Sequence, residues 1–340
     1  MSFLSDTTAP AHPALLDALV RANEGAQASY GSDAISARVK AQLKEIFSTD
    51  LELVFTVSGT ASNSLALSVL APGDTAILCH DEAHIHRDER GAPEFFTGGA
   101  KLIALHGDHA RLTPAALEAA LAEWPSDFVH TTPPSVLSLS NLTESGTAYD
   151  VAAVKALAGI AKARGMHVHM DGARVANALA HLKCDPADIT WRAGVDVLSL
   201  GATKGGALAA EAVILFPTVM DRFQALRARQ KRAGHMVPKM RYVAAQFEAW
   251  LEGGRWLELA AHANAMASEL ASGFTSIPGA KLLHPVEGNE VFIDLPQEAV
   301  DALSAVNAGF YPWPHGGYRF VTSWQTKPED VARVVKAARG

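Results

Sequence analysis

Seven short, β-rich apolar runs span residues 52–216 of this 340-residue chain, most of them separated by helical segments. They read ELVFTV (52–57), TAILC (75–79), KLIAL (101–105), SVLSLS (135–140), HVHM (167–170), VDVLSL (195–200) and EAVILF (211–216). TPAALEAALAEW, between two of them, carries Thr113 as a cap and Pro114 at the first helical position. Ahead of the first run, Ile35, Val39, Leu43, Ile46 and Phe47 recur at helical spacing behind Ser32 or Asp33 as cap. Strands alternating with helices predict an α/β fold with a mostly parallel, doubly wound sheet. Such a sheet binds ligands outside the carboxyl ends of its strands, so chemistry is sought where these runs end.

Two run ends carry opposite charges. HVHM leads into Asp171 and turns through Gly172 into a helix opening at Arg174, while VDVLSL ends in a turn that presents Lys204 among Thr203, Gly205 and Gly206. Small neighbours let a flat ligand approach that lysine. An acid and a lysine on one rim are what pyridoxal phosphate chemistry needs. The lysine forms a Schiff base, and the carboxylate keeps the pyridine nitrogen protonated so that the ring accepts electrons. Asp171 also reads as a helix cap, and the two roles are compatible. ELVFTV ends in Ser58-Gly59-Thr60 at a helix start, where N–H groups, hydroxyls and the helix dipole suit an anion, although the same residues serve elsewhere as plain caps. SVLSLS delivers Asn141, Thr143 and Glu144 to the rim.

TAILC runs into His80, Asp81, Glu82, His84, His86, Asp88 and Glu89. No Cys/His set elsewhere completes a four-ligand site, so no metal is expected there. A histidine at a strand end either stacks on a ligand or is simply solvated.

The formal charge of −7 argues against a nucleic-acid binder, and the basic stretch at Arg227, Arg229, Lys231 and Arg232 reads as a solvated face. No apolar run approaches the roughly 20 residues of a membrane span, and MSFLSDTTAP is not a signal peptide. Two cysteines, Cys79 and Cys184, are too few for a disulfide framework, which suggests a cytoplasmic protein. After Pro217 a helical region is expected, with one long helix through Trp250 and Trp256. Strands in KLL, EVFIDL and YRFVTSW then alternate with helices at 254–273, 297–307 and 327–339. The division is into a large unit, 1–250 with the N-terminal segment, and a small α+β unit, 251–340. The lack of a Gly-x-Gly-x-x-Gly after a strand and of a P-loop disfavours dinucleotide and nucleotide triphosphate enzymes.

These blocks together resemble the low-specificity L-threonine aldolase family of pyridoxal phosphate enzymes, within the β-eliminating lyase group of fold type I. SDT (5–7) looks like the family's opening motif, and YGSD (30–33) resembles its YG-x-D segment, with Ala34-Ile35 where Pro-Thr commonly follows. SGT (58–60), the His-Ile-x-x-x-Glu of HIHRDE (His84, Glu89), TESG (143–146), HMDGAR (169–174), TKGG (203–206) and YRFVTSW with Arg319 complete the likeness. It implies a cofactor set of Ser58, Gly59, Thr60, His84, Thr143, Glu144, Asp171, Arg174, Thr203, Lys204 and Arg241, the last from the basic region or a neighbouring subunit. It implies a substrate set of Ser5, Tyr30, His130, Arg174 and Arg319, with Arg319 gripping the carboxylate. It implies Lys204, His84 and Asp171 as the catalytic residues. An arginine at position 174 opposes the helix dipole, which itself points to a functional reason.

The activity implied is cleavage of L-threonine or L-allo-threonine to glycine and an aldehyde. His84 is the first candidate for the base that takes the β-hydroxyl proton, ahead of His130, His86 and Glu89. A homotetramer with sites between paired subunits is implied as well. The alternatives are a phenylserine-type aldolase whose pocket draws on Trp313, Phe320 or Phe95, and β-elimination on the same fold. More remote are a non-catalytic sensor module with this fold and a metal-dependent hydrolase built on the histidine loop.

Overall fold

Each apolar run forms a strand. The computed structural model describes residues 1–314 and 316–340, and in it the strands are β1 (Glu52–Thr56), β2 (Ala76–His80), β3 (Lys101–Leu105), β4 (Pro134–Ser140), β5 (His167–Gly172), β6 (Val197–Gly201) and β7 (Glu211–Leu215). They make one sheet in the order β1-β7-β6-β5-β4-β2-β3. From β3 to β6 all pairs are parallel, while β7 runs antiparallel to both β6 and β1. The reversal has a simple cause. Loop 202–210 is too short for the crossover of about a dozen residues that a parallel neighbour requires. Every residue of β2, β6 and β7 is buried, as expected of strands covered on both faces.

Register fixes what meets at the rim. Ser140 pairs with Asp171 and Asp171 with Ser199, so β4, β5 and β6 end level with one another. Because β7 is reversed, its first residue, Glu211, lies beside Gly201 of β6 and Thr56 of β1 at that same rim. The helix Gly59–Leu70 packs against β6 and β7 and is itself covered by the helices Ala92–Thr97 and Phe223–Arg232. Its residues 62–70 are all buried, which explains why SNSLALSVL has no polar face.

A second, antiparallel sheet holds β8 (Lys281–Leu282), β9 (Glu290–Asp294), β10 (Tyr311–Pro312) and β11 (Tyr318–Val321) in the order β10-β11-β9-β8. Phe274, Leu303, Phe320 and Val334 centre its separate core. The N-terminal segment belongs to this core. Phe3 is buried in it, donates its N–H to the Gly309 carbonyl (2.6 Å) and accepts from Val321 N–H (2.8 Å). Instead of one long helix through both tryptophans there are two, Arg241–Leu251 and Arg255–Thr275. Gly253 (φ 63°) and Gly254 (φ 80°) separate them in left-handed conformations that glycine adopts without steric cost. The longer helix packs on Val175–Leu182 below the first sheet and on Pro328–Arg339 of the second unit. Among the described residues no helix is long and apolar enough to cross a membrane.

Candidate active site

The turn after β6 presents Lys204 on a braced loop. Ala202 N–H donates to the Ala210 carbonyl (3.0 Å), Gly205 N–H to Ala202 (3.0 Å), and the Trp250 indole to the Gly205 carbonyl (3.1 Å). A Cβ on Gly205 would stand 2.9 Å from the Trp250 indole nitrogen, so only glycine lets the loop lie against that ring. Asp171, buried at the end of β5, accepts from Ala173 N–H at one oxygen (3.0 Å) and from the Asn63 amide at the other (2.7 Å). Burial pushes its pKa up, but the charge of His84, with the Ala173 N–H and Lys204, holds it below the ordinary carboxylate value. His169, two residues earlier, is sandwiched between the Ser138 and Ser199 hydroxyls (2.9 Å each). Burial takes it down to about 4, which keeps that histidine neutral and structural.

Asp171 is the end of a chain of contacts. Asn63 donates to both Asp171 and Glu89 Oε1 (2.8 Å), and the same Glu89 oxygen meets His84 Nδ1 at 2.8 Å. The Glu89 side chain is fully buried and that of His84 partly exposed. The hydrogen bond to Glu89 raises the pKa of His84 against the effect of burial. His84 is also fixed through its backbone, whose N–H donates to Glu144 Oε1 (2.8 Å), an oxygen that accepts from Ser140 Oγ as well (2.7 Å). Burial pushes Glu144 up to about 7, and likewise Glu211.

Two adjoining cavities share His84, Glu144, Arg174 and Lys204. The inner one, about 320 Å³, is lined also by Ser58, Gly59, Thr60, Thr143, Asp171 and Thr203. Ser58 caps the Gly59–Leu70 helix, its Oγ accepting from Ala61 N–H (3.3 Å), and beside Gly59 there is open space. The outer cavity, about 610 Å³, is lined by Ser5, Glu290, Tyr311, Trp313 and Arg319. Between them lies a buried ionic network. Arg174 forks onto Asp6 (Nε 2.7 Å, Nη2 3.1 Å) and stands 3.3 Å from Glu290, and Glu290 in turn binds Arg319. Burial works against the Asp6 carboxylate, yet Arg174 and Lys204 hold its pKa below the ordinary value.

Three of the expected residues line neither cavity. His130 lies on the exposed loop that leads into β4, at the opposite edge of the sheet from the rim. Tyr30 is exposed at a left-handed turn (φ 61°), with Lys231 Nζ 5.0 Å from its ring centre. Arg241 donates to the Gly25 carbonyl (3.0 Å), on the same face as Tyr30, whose N–H binds the Pro238 carbonyl (3.0 Å). Of the loop histidines, His80 binds the Gly107 carbonyl (2.8 Å) and His86 the Asp81 carbonyl (3.2 Å). Of the aromatics, Trp313 lines the outer cavity, Phe320 is core, and Phe95 is 79% exposed elsewhere. The sequence reading missed Asp6, Asn63, Glu211 and Glu290. Asp6 sits inside the quoted SDT block, and Asn63 is one helical turn past Gly59, so both had a local signal.

The chain is similar to known proteins over nearly its whole length. Residues 2–298 match the family model described as β-eliminating lyase. A low specificity L-threonine aldolase of Pseudomonas aeruginosa is 40% identical over 339 residues, covering 99% of this chain and 96% of its own. One from a Pseudomonas species is 39% identical over the same coverage. The solved structure of Leishmania major threonine aldolase superposes with a TM-score of 0.92 at 29% identity, covering 99% of this chain and 98% of its own. The fold is that of type I pyridoxal phosphate enzymes, and the chain belongs to the β-eliminating lyase family, among the low-specificity L-threonine aldolases.

Proposed function

We propose that this enzyme cleaves the Cα–Cβ bond of β-hydroxy-α-amino acids, L-threonine and L-allo-threonine among them, to glycine and an aldehyde, with pyridoxal phosphate held in the inner cavity. The observation that carries the reading is the meeting of the two cavities at His84 and Lys204, one lined by the helix start and Asp171, the other by Arg319. The residues fit the cofactor. A buried, ionised carboxylate faces a cavity whose far end is a helix N-terminus with open space beside Gly59, and a lysine reaches in between. Ser58, Gly59, Thr60 and Thr203 would hold the phosphate, Asp171 the ring nitrogen, and Lys204 the aldehyde carbon. When bound, the cofactor supplies an electron sink at the substrate's Cα.

The remaining work falls to the chain. Arg319 binds the α-carboxylate through charge-assisted hydrogen bonds, with Ser5 and Arg174 at the edge of the same cavity. His84, its Nδ1 hydrogen-bonded to the buried Glu89 carboxyl group, has Nε2 as its basic nitrogen, and this takes the β-hydroxyl proton as the aldehyde departs. Asn63 ties Glu89 to Asp171, so that the base and the ring-nitrogen anchor are set by one amide. The Tyr311 and Trp313 walls of the outer cavity favour aryl as well as methyl β-substituents, so phenylserine belongs in the same assay. Tyr30 and Arg241 share a face away from this cavity, which supports a homotetramer in which they complete a neighbour's site. We read 1–250 and 251–340 as the two units that enclose the site, and the two free cysteines favour the cytoplasm.

The test is direct. Protein loaded with pyridoxal phosphate is expected to release glycine and acetaldehyde from L-threonine and L-allo-threonine, and Lys204→Ala to release none. 2-Oxobutanoate and ammonia as products would instead make the enzyme a β-eliminating lyase.

A further inference from the structure

The guanidinium assigned above to the substrate carboxylate already holds a carboxylate of the protein. Arg319 donates from Nε (3.0 Å) and Nη2 (2.5 Å) to one oxygen of Glu290, and from Nη1 to the Tyr311 hydroxyl. A guanidinium offers a carboxylate two forked edges, a side-on edge of Nε with Nη2 and an end-on edge of Nη1 with Nη2. Glu290 fills the side-on edge. What is left for a ligand is the end-on edge, which it shares with the Tyr311 hydroxyl at Nη1, in a plane hemmed by the rings of Phe292, Tyr311 and Trp313, whose centres lie 5.9, 5.6 and 5.4 Å from Cζ. Glu290 is 1% exposed, and its other oxygen has no hydrogen-bond partner but stands 3.3 Å from Arg174 Nη1. A carboxylate so buried is costly unless cations face it, and here they come from two sheets, Arg319 on β11 and Arg174 at the exit of β5.

We propose that Glu290 is a positioning residue, which fixes the edge and direction from which Arg319 receives the substrate's α-carboxylate and thereby selects the bond at Cα that breaks. The inference rests on the aldolase reading. The bond that cleaves must stand perpendicular to the cofactor plane, and with the carboxylate held in one direction that bond is Cα–Cβ. No proton passes through Glu290; it acts only through Arg319.

Glu290→Gln keeps the shape and removes the charge. Three measurements on enzyme loaded with pyridoxal phosphate separate positioning from mere support: equilibrium affinity for glycine, turnover of L-threonine, and deuterium exchange at Cα of L-alanine followed by NMR. L-Alanine has no β-hydroxyl, so its exchange reports Cα–H breakage alone. Glycine affinity is expected to hold or rise, because Arg319 loses an internal counter-ion. Turnover is expected to fall by about tenfold or more, and the ratio of exchange to cleavage to rise by a similar factor. Glycine affinity and turnover falling together at an unchanged ratio would overturn the proposal, as would unchanged turnover. If Glu290→Gln fails to fold, Tyr311→Phe frees Nη1 without touching the buried charge. A smaller rise in the ratio supports the proposal, and an unchanged ratio overturns it. A wild-type protein that cleaves no β-hydroxy amino acid refutes the aldolase reading instead. Glycine affinity with alanine exchange then decides the role of Glu290, and a loss of affinity sinks it.

Discussion

At the scale of residues, one oxygen of Glu89 sets the basicity of His84 and, through Asn63, the placement of Asp171. The raised pKa of His84 has a kinetic sign. A base must be neutral, so turnover falls as pH drops through that pKa, at a higher pH than an unassisted histidine would give. Glu89→Gln replaces the carboxyl group whose hydrogen bond raises it, and the acid limb of the kcat/KM profile should then move to lower pH. His84→Asn should cost on the order of 10²–10⁴ in kcat while Lys204→Ala abolishes activity, and unchanged turnover in His84→Asn would exclude His84 as the base. Asp171, Lys204 and His84 were legible in the sequence because each lies at or within a few residues of the carboxyl end of a strand. Asn63 pairs with Asp171 across 108 positions, and Asp6 with Arg174 across 168, so the local signal at Asn63 and Asp6 does not name their partners.

Elements explain why those residues converge. The strand runs were readable because they are short, rich in β-branched and apolar residues and bounded by turn residues, but the direction of β7 depended on the length of loop 202–210, a clue present in the sequence and not used. The long helix through both tryptophans was misjudged for a related reason. Gly253-Gly254 was visible, yet only the fold demands that the chain turn there, with the Trp250 and Trp256 rings 5.5 Å apart across the break. Gly254→Ala, which forces an alanine into φ 80°, is expected to lower stability by about 1–2 kcal/mol in chemical denaturation. Trp250→Phe keeps an aromatic ring but strands the Gly205 carbonyl behind the Lys204 turn. A loss of about 1–3 kcal/mol is expected, with the Schiff-base absorbance of the loaded enzyme as the readout of whether Lys204 has moved.

At the scale of the whole molecule, the N-terminal segment ties the core of the second sheet to the rim of the first. Phe3 is buried in the second core while Asp6, three residues on, forks onto Arg174 of the first sheet. That junction was not legible, because SDT marks a motif without showing that Asp6 meets Arg174 once the fold buries it. Among the described residues Asp6→Asn leaves Arg174 paired with Glu290, and breaking such a buried pair should cost about 3–5 kcal/mol near neutral pH. The pH dependence follows from the depressed pKa of Asp6. A carboxylate whose folded pKa lies below its ordinary 3.8 contributes stability above that value, and loses it as pH falls through the folded pKa. The stability gap between the native protein and Asp6→Asn should therefore be full at pH 6–7 and shrink as the solution is acidified below about 4. Urea titrations of both proteins at several pH values measure it. A gap that stays constant down to the acid limit would mean that Asp6 acts by shape, as part of the N-terminal turn, and that the ionic network does not tie the two cores together.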